Sequence, residues 1–175
     1  MKIVLFFIAL LIFAPISKAT IIGVGKQKAF TQIKQAIAAA QAGDTVLVES
    51  GLYKEGNIVI NKRIFFLGNN LPILDGEHKF EVLSIKADSV TVKGFRVQYS
   101  GYATLDDPGG IKVYDSNFVT ITENDLYDNF FGIYIQYGTH CVVKNNKVVA
   151  FGKDEQQIGN GIHCWKSDSL QIIGN

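Results

Sequence analysis

The feature that most constrains this chain is a short pattern written four times between Val90 and Asn175. The copies read VTVKGFRV from Val90, VTITENDL from Val119, CVVKNNKV from Cys141 and a shortened LQIIGN from Leu170, with starts 29, 22 and 29 residues apart. A unit of this length cannot bury its own apolar face, so successive copies have to stack as a solenoid. Fitting about three short strands into each unit leaves no room for a crossover helix, and parallel stacking gives every strand a neighbour above and below. The pattern predicts an all-β fold, a right-handed parallel β-helix. Hairpin-connected strands of a β-sandwich would not hold one register from copy to copy.

The rest of the chain agrees with that reading. Apolar residues alternate with polar ones at Val46 and Val48, Ile58 and Ile60, Ile64 and Phe66, Leu83 and Ile85, Ile111 and Val113, Ile133 and Ile135, and Ile162 and Cys164, which is the period of a strand. Before them, Phe30, Ile33, Ile37 and Ala40 recur at three- and four-residue steps and predict one short helix of about three turns, stopped by Gly43. A solenoid exposes its core at each end, and this helix is placed to cap the first coil. The chain stops at Asn175 inside the fourth copy, so residues 20–175 are expected to be the N-terminal part of one β-helix domain, a fragment truncated at its C-terminal side.

Lys2, twelve unbroken apolar residues from Ile3 to Ala14, then Pro15 and Ser17-Lys18-Ala19 make a secretory signal peptide over residues 1–19. Twelve helical residues span about 18 Å, too little for a bilayer core of roughly 30 Å. No later apolar run approaches spanning length, so the mature chain is expected to have no membrane span. Removing Lys2 and Lys18 from 17 basic side chains leaves 15 against 16 acidic ones, a formal charge of −1. That balance argues against a nucleic-acid partner held by bulk electrostatics. An exported chain with only Cys141 and Cys164 does not rest on a disulfide scaffold.

One column of the repeat is polar where a core position is expected. At the sixth position of each copy stand Phe95, Asn124, Asn146 and Asn175. Asn side chains stacked one coil apart can bond amide to amide and satisfy turn backbone groups, so Asn124, Asn146 and Asn175 read as a structural ladder rather than as catalytic groups. Alternation also leaves Lys112, Tyr134 and His163 in one outward column, a natural binding surface, with Trp165 beside it. Two insertions, Tyr99 to Gly110 and Phe151 to Gly161, precede that strand at the same phase and carry Tyr102, Asp106, Asp107, Asp154 and Glu155. Loops on one face of a solenoid are its usual functional ground.

Neither catalytic nor cofactor-binding residues emerge from these groups. The two acidic pairs sit two coils apart, roughly 10 Å at the strand spacing, and do not define a general acid–base couple. Among His78, His140, His163, Cys141 and Cys164 no spacing forms a recognised ligand motif. His163, within His163-Cys164-Trp165, is the one candidate for a metal contact.

The chain from about residue 20 to 175 resembles the NosD family of periplasmic right-handed β-helix proteins. The resemblance rests on IKQAIAAAQAGDTVLVESGLYKEGNIVI, PILDGEHKFEVLSI followed by ADSVTVKGFRV, FFGIYI, and GNGIHCWKSDSLQIIGN. The first run opens many pectin-lyase-like β-helices, whereas KEGNIVINK, FFGIY and NGIHCW in this order are more specific. The resemblance implies a non-enzymatic periplasmic accessory protein assisting copper-site maturation of nitrous oxide reductase. Its implied partners are the membrane and ATPase subunits of an ABC transporter, a copper chaperone and the reductase, with copper as the possible cargo. Cys164 stands where an aliphatic residue is expected. The alternative is a carbohydrate-active β-helix enzyme, a polysaccharide lyase, hydrolase or epimerase. Arg63 and Arg96, the two arginines of the mature chain, lie outside the inserted loops, and no three-acid constellation accompanies them.

Overall fold

The computed structural model describes residues 18–102, 107–152, 154 and 158–175, so the leader up to residue 17, Asp106 and Glu155 lie outside the described residues. The chain opens with β1 (Ile21–Val24) and α1 (Ile33–Ala39). Five coils of three strands follow. They are β2 (Thr45–Val48), β3 (Leu52–Tyr53) and β4 (Ile58–Ile60); β5 (Phe65–Gly68), β6 (Ile73–Asp75) and β7 (Leu83–Ile85); β8 (Thr91–Lys93), β9 (Arg96–Gln98) and β10 (Gly109–Tyr114). Then come β11 (Thr120–Thr122), β12 (Asp125–Tyr127) and β13 (Phe131–Gln136); and β14 (Val142–Lys144), β15 (Lys147–Val149) and β16 (Ile162–Trp165), with β17 (Gln171–Ile173) after the fifth coil. Three sheets result, β1-β2-β5-β8-β11-β14-β17, β3-β6-β9-β12-β15 and β4-β7-β10-β13-β16, and every pairing is parallel. This is a parallel β-helix with one short helix at its start.

Stacking in register turns the period-two pattern into inner columns. Val46, Phe66, Val92, Ile121, Val143 and Ile172 pair in sequence on the first sheet. On the third sheet Ile58, Leu83, Ile111, Ile133 and Ile162 form one column, and Ile60, Ile85, Val113, Ile135 and Cys164 another. Most of these side chains are wholly buried, and burial of apolar area on this scale is what drives the coil to close. In the last strands of these columns Cys164 is accessible and Ile172 is about half exposed.

The second sheet escapes the sequence pattern. Its strands are two or three residues long and place a single core side chain each, such as Leu74, Val97 or Leu126, so no alternation is visible. β1 belongs to the first sheet although the sequence shows it only as a lead-in.

The helix is shorter than predicted and stops earlier. It covers seven residues, Phe30 lies outside it in a bridge with Val24, and Ala40 is already extended, so Gly43 does not end it. Gln32 at the N-cap gives no side-chain bond; instead the Glu55 carboxylate, from the turn between β3 and β4, accepts from Ile33 N–H at 2.7 Å and Lys34 N–H at 3.0 Å. Beyond the other end, Asp44 accepts from the N–H groups of Gln41 and Thr20. An acid from another turn thus satisfies N–H groups at the helix start, and at its end Lys62 Nζ donates to Ala38 O and Ala40 O.

The Asn column occupies the corner between the first and second sheets. Asn146 Oδ1 accepts from Asn124 N–H at 3.1 Å and Asn124 Nδ2 at 3.0 Å, while Asn146 Nδ2 donates to Ile121 O at 3.0 Å and Asn175 Oδ1 at 2.8 Å. Phe95, at the top of the column, donates its N–H to Asn124 Oδ1. The residue before each ladder position, Gly94, Glu123, Asn145 or Gly174, has φ of 82°, 56°, 55° or 64°. The left-handed conformation, disfavoured for side-chain-bearing residues, is a property of this corner and is held by the ladder bonds on either side.

Candidate functional site

The outward column of the third sheet pairs Val59, Ser84, Lys112, Tyr134 and His163, strand by strand. It is not the open surface that alternation suggests. Lys112 and Tyr134 are only 6% and 5% exposed. Aromatic groups and Asp107 of the first insertion cover them, forming an outer layer that period-two reasoning cannot see. Lys112 Nζ donates to Asp107 O at 2.9 Å and lies 4.7 Å from the Tyr134 ring centre and 4.8 Å from that of Tyr114. Phe131 packs against Tyr134 and stacks on His163 at 4.8 Å, and Tyr134 meets the same imidazole edge-on. His163 is half-buried, Trp165 and Asp107 stay exposed, and Asp106 falls outside the described residues.

At the other end of the column lies a group that sequence reading missed. Glu81, just before β7, has a side chain only 11% exposed. Its carboxylate accepts from Tyr114 OH at 2.9 Å, takes a short hydrogen bond from the Ser84 hydroxyl, which also contacts Asn57, and sits 4.0 Å from Lys112 Nζ. Burial pushes this carboxyl above the usual carboxylate range, against the opposing pull of the Ser84 and Tyr114 hydrogen bonds and of the Lys112 and Lys86 charges. A lone Glu between Phe80 and Val82 carries no periodic signal. The one hint is Ser84 three residues on, which alternation puts on the outer face.

Glu81 forms part of the wall of a cleft of about 600 Å³, lined also by Asn57, His78, Phe80, Tyr102 and Tyr114. The first insertion closes one side of it: Tyr102 hydrogen-bonds His78 Nδ1 at 3.2 Å and the two rings stack at 5.6 Å. The loop from β6 turns at Gly76, where an added Cβ would meet Tyr99 O at 2.5 Å, so only glycine lets the loop lie this close to the next coil. From His78 an aromatic row continues down the corner, His78 to Tyr99 at 4.6 Å, Tyr99 to Tyr127 at 6.0 Å and Tyr127 to Phe151 at 5.0 Å. Both insertions connect a second-sheet strand to a third-sheet strand, β9 to β10 and β15 to β16, so both leave from this corner.

His163, Cys164, His140 and Cys141 do not come together as a copper site. His163 Nδ1 is 2.9 Å from Asn160 Nδ2 and its ring is packed between Phe131 and Tyr134. Cys164, next along the strand, belongs to the inward column. Cys141 is buried, its thiol pushed up by that burial, and His140 stacks on Phe118. Among the described residues no three His, Cys, Asp or Glu side chains gather around one point, and no helix is long and apolar enough to cross a membrane.

Comparison with known proteins places this geometry in context. The family model described as "Right handed beta helix region" matches residues 19–175. A cell surface glycoprotein of Methanothermus fervidus is 27% identical over 113 residues, 63% of this chain but only 18% of that protein's length. Among solved structures, a pectin methylesterase in complex with a hexasaccharide superposes with a TM-score of 0.49 at 13% identity, covering 85% of this chain and 67% of that one. The pectin methylesterase of Aspergillus niger, in deglycosylated form, gives 0.36 at 16% identity over 85% and 68%.

Proposed function

We propose that this chain, which belongs to the right-handed β-helix family, is a non-enzymatic accessory protein of the NosD type. In this reading it is exported to the periplasm through residues 1–19 and assists copper-site assembly of nitrous oxide reductase together with an ABC transporter. The observation that supports the reading most is where the resembling stretches fall. KEGNIVINK contains β4, FFGIYI begins β13 and NGIHCW forms β16, so the three more specific stretches lie on the third sheet and the turns entering it. Residues scattered through the sequence are thereby gathered on one face, as an assembly surface requires. Copper is cargo in this proposal, delivered between partners. The test is a strain lacking the chain: its nitrous oxide reductase is expected to be copper-poor by mass spectrometry and to regain copper when the chain is restored. A fully loaded reductase in that strain would overturn the proposal.

A second reading, a carbohydrate-active enzyme, is favoured by Glu81. A carboxyl held above its ordinary range at a cleft wall is the state a general acid needs. This reading predicts polysaccharide turnover by the purified protein that Glu81→Gln abolishes; turnover that survives the substitution, or none at all, counts against it.

A further inference from the structure

We propose that Asn160-Gly161, the turn leading into β16, is a self-modification site at which the main chain attacks the asparagine side chain and Asn160 becomes aspartate or isoaspartate. It is the one Asn-Gly step in the sequence, and both residues are exposed. Glycine brings no Cβ to obstruct ring closure. The nucleophile is free. Among the described residues Gly161 N–H has no hydrogen-bond partner, although the carbonyls of Asn160 and Gly161 accept from Gly132 N–H at 3.2 Å and Ile133 N–H at 3.0 Å. The electrophile is open as well: Asn160 Nδ2 lies 2.9 Å from His163 Nδ1, and Oδ1 has no partner among the described residues. In the first step Gly161 N bonds to Asn160 Cγ and closes a five-membered succinimide, while Nδ2 leaves as ammonia and takes the Gly161 amide proton by way of water. A water molecule then opens the ring. Breaking the N–Cγ bond restores the main chain with aspartate, and breaking the original peptide bond gives isoaspartate.

The fold itself does not require glycine at this position. An added Cβ at Gly161 would meet only Val148, at 3.6 Å, whereas one at Gly132 on the neighbouring strand would come within 2.4 Å of Gly161 O. The one Asp-Gly step of the chain, Asp75-Gly76, shows what protection looks like. Asp75 is buried, its carboxylate accepts from Glu77 N–H at 2.8 Å and Gln98 Nε2 at 2.9 Å, and Gly76 N–H donates to Gln98 O at 2.9 Å. Asn124, Asn129 and Asn146 are likewise bonded through both atoms of the side-chain amide. Conversion at residue 160 alters the third sheet where the chain enters it. Aspartate sets a carboxylate against His163, and isoaspartate lengthens the main chain by one atom between the two carbonyls that pair with Gly132 and Ile133.

The proposal depends on neither functional reading. Ageing the purified full chain in neutral buffer, with peptide mapping by mass spectrometry, enzymatic methylation of isoaspartate and assay of released ammonia, tests it directly. Asn160 is expected to convert before every other asparagine, to a mixture of aspartate and isoaspartate, while Asp75-Gly76 stays intact. Amide exchange at Gly132 and Ile133 is expected to be faster in the isoaspartate fraction. Gly161→Ala, which the open space beside Val148 accommodates, is expected to slow conversion about ten-fold by hindering ring closure and to leave the melting midpoint unchanged. Asn160→Gln, which has to close a six-membered ring, is expected to remove the early ammonia release. An intact Asn160 in a sample where another asparagine has converted, or undiminished conversion in Gly161→Ala, would overturn the assignment.

Discussion

At the scale of single residues, buried polar groups decide most. The Asn146 side chain makes four hydrogen bonds within the corner, and Asn146→Leu would remove the acceptor of Asn124 N–H and the donor to Ile121 O, leaving Asn124 Nδ2 only Val92 O and Asn175 Oδ1 only the backbone N–H of residue 146. The expected loss is about 1–3 kcal/mol, read as a lower denaturation midpoint, and an unchanged midpoint would contradict the ladder's role. This column was legible in the sequence because Asn recurs at a fixed phase beside apolar residues. Glu81 was not, because its burial comes from a loop and a neighbouring coil that no local pattern encodes. Its titration gives a second prediction. A raised folded value means a stability contribution that is full below the unfolded value, near 4.3, and is lost as pH rises through the folded value. Asp44 and Glu49 run the other way: hydrogen bonds, from Gln41 and Thr20 to the first and chiefly from Asn69 to the second, hold both low, so their contribution is lost as pH falls. The melting difference between Glu81→Gln and wild type should therefore move in the variant's favour from pH 4 to pH 7. Parallel pH profiles would contradict the burial of Glu81.

Among elements, the alternating stretches that carry the first and third sheets were readable, and the stretches of the second sheet were not. A three-residue strand with one inward side chain has no period, so the second sheet is specified by its neighbours above and below rather than by its own residues. The helix shows the same dependence on context. Its apolar spacing announces an amphipathic helix, but its ends are satisfied from other parts of the chain, by the Glu55 carboxylate at the start and the Lys62 ammonium at the end. Glu55 supplies the cap that Gln32 does not. Glu55→Ala is expected to cost about 1 kcal/mol, the ordinary value of an N-cap, and to speed amide exchange at Ile33 and Lys34 before other sites. Uniformly slow exchange in that variant would show that packing of Ile33, Ala36 and Ile37 holds the helix without the cap.

Across the whole molecule, parallel stacking converts separate stretches of sequence into faces. The inner columns account for the fold and were anticipated from alternation. The outer column of the third sheet was anticipated as a line of residues, but not its cover of Tyr114, Phe130, Phe131 and inserted loop, which buries Lys112 and Tyr134 and leaves His163, Trp165 and the Glu81 cleft accessible. On this account the third sheet and its loops are the working face, and the outer side of the first sheet, where Phe65 stands exposed, is not. The most direct test restores a strain lacking the chain with face-specific variants and measures copper per nitrous oxide reductase. The account predicts that His163→Ala combined with Trp165→Ala leaves the reductase copper-poor while Phe65→Ser restores it; full loading by the third-sheet variant, or in the strain without the chain, would contradict it.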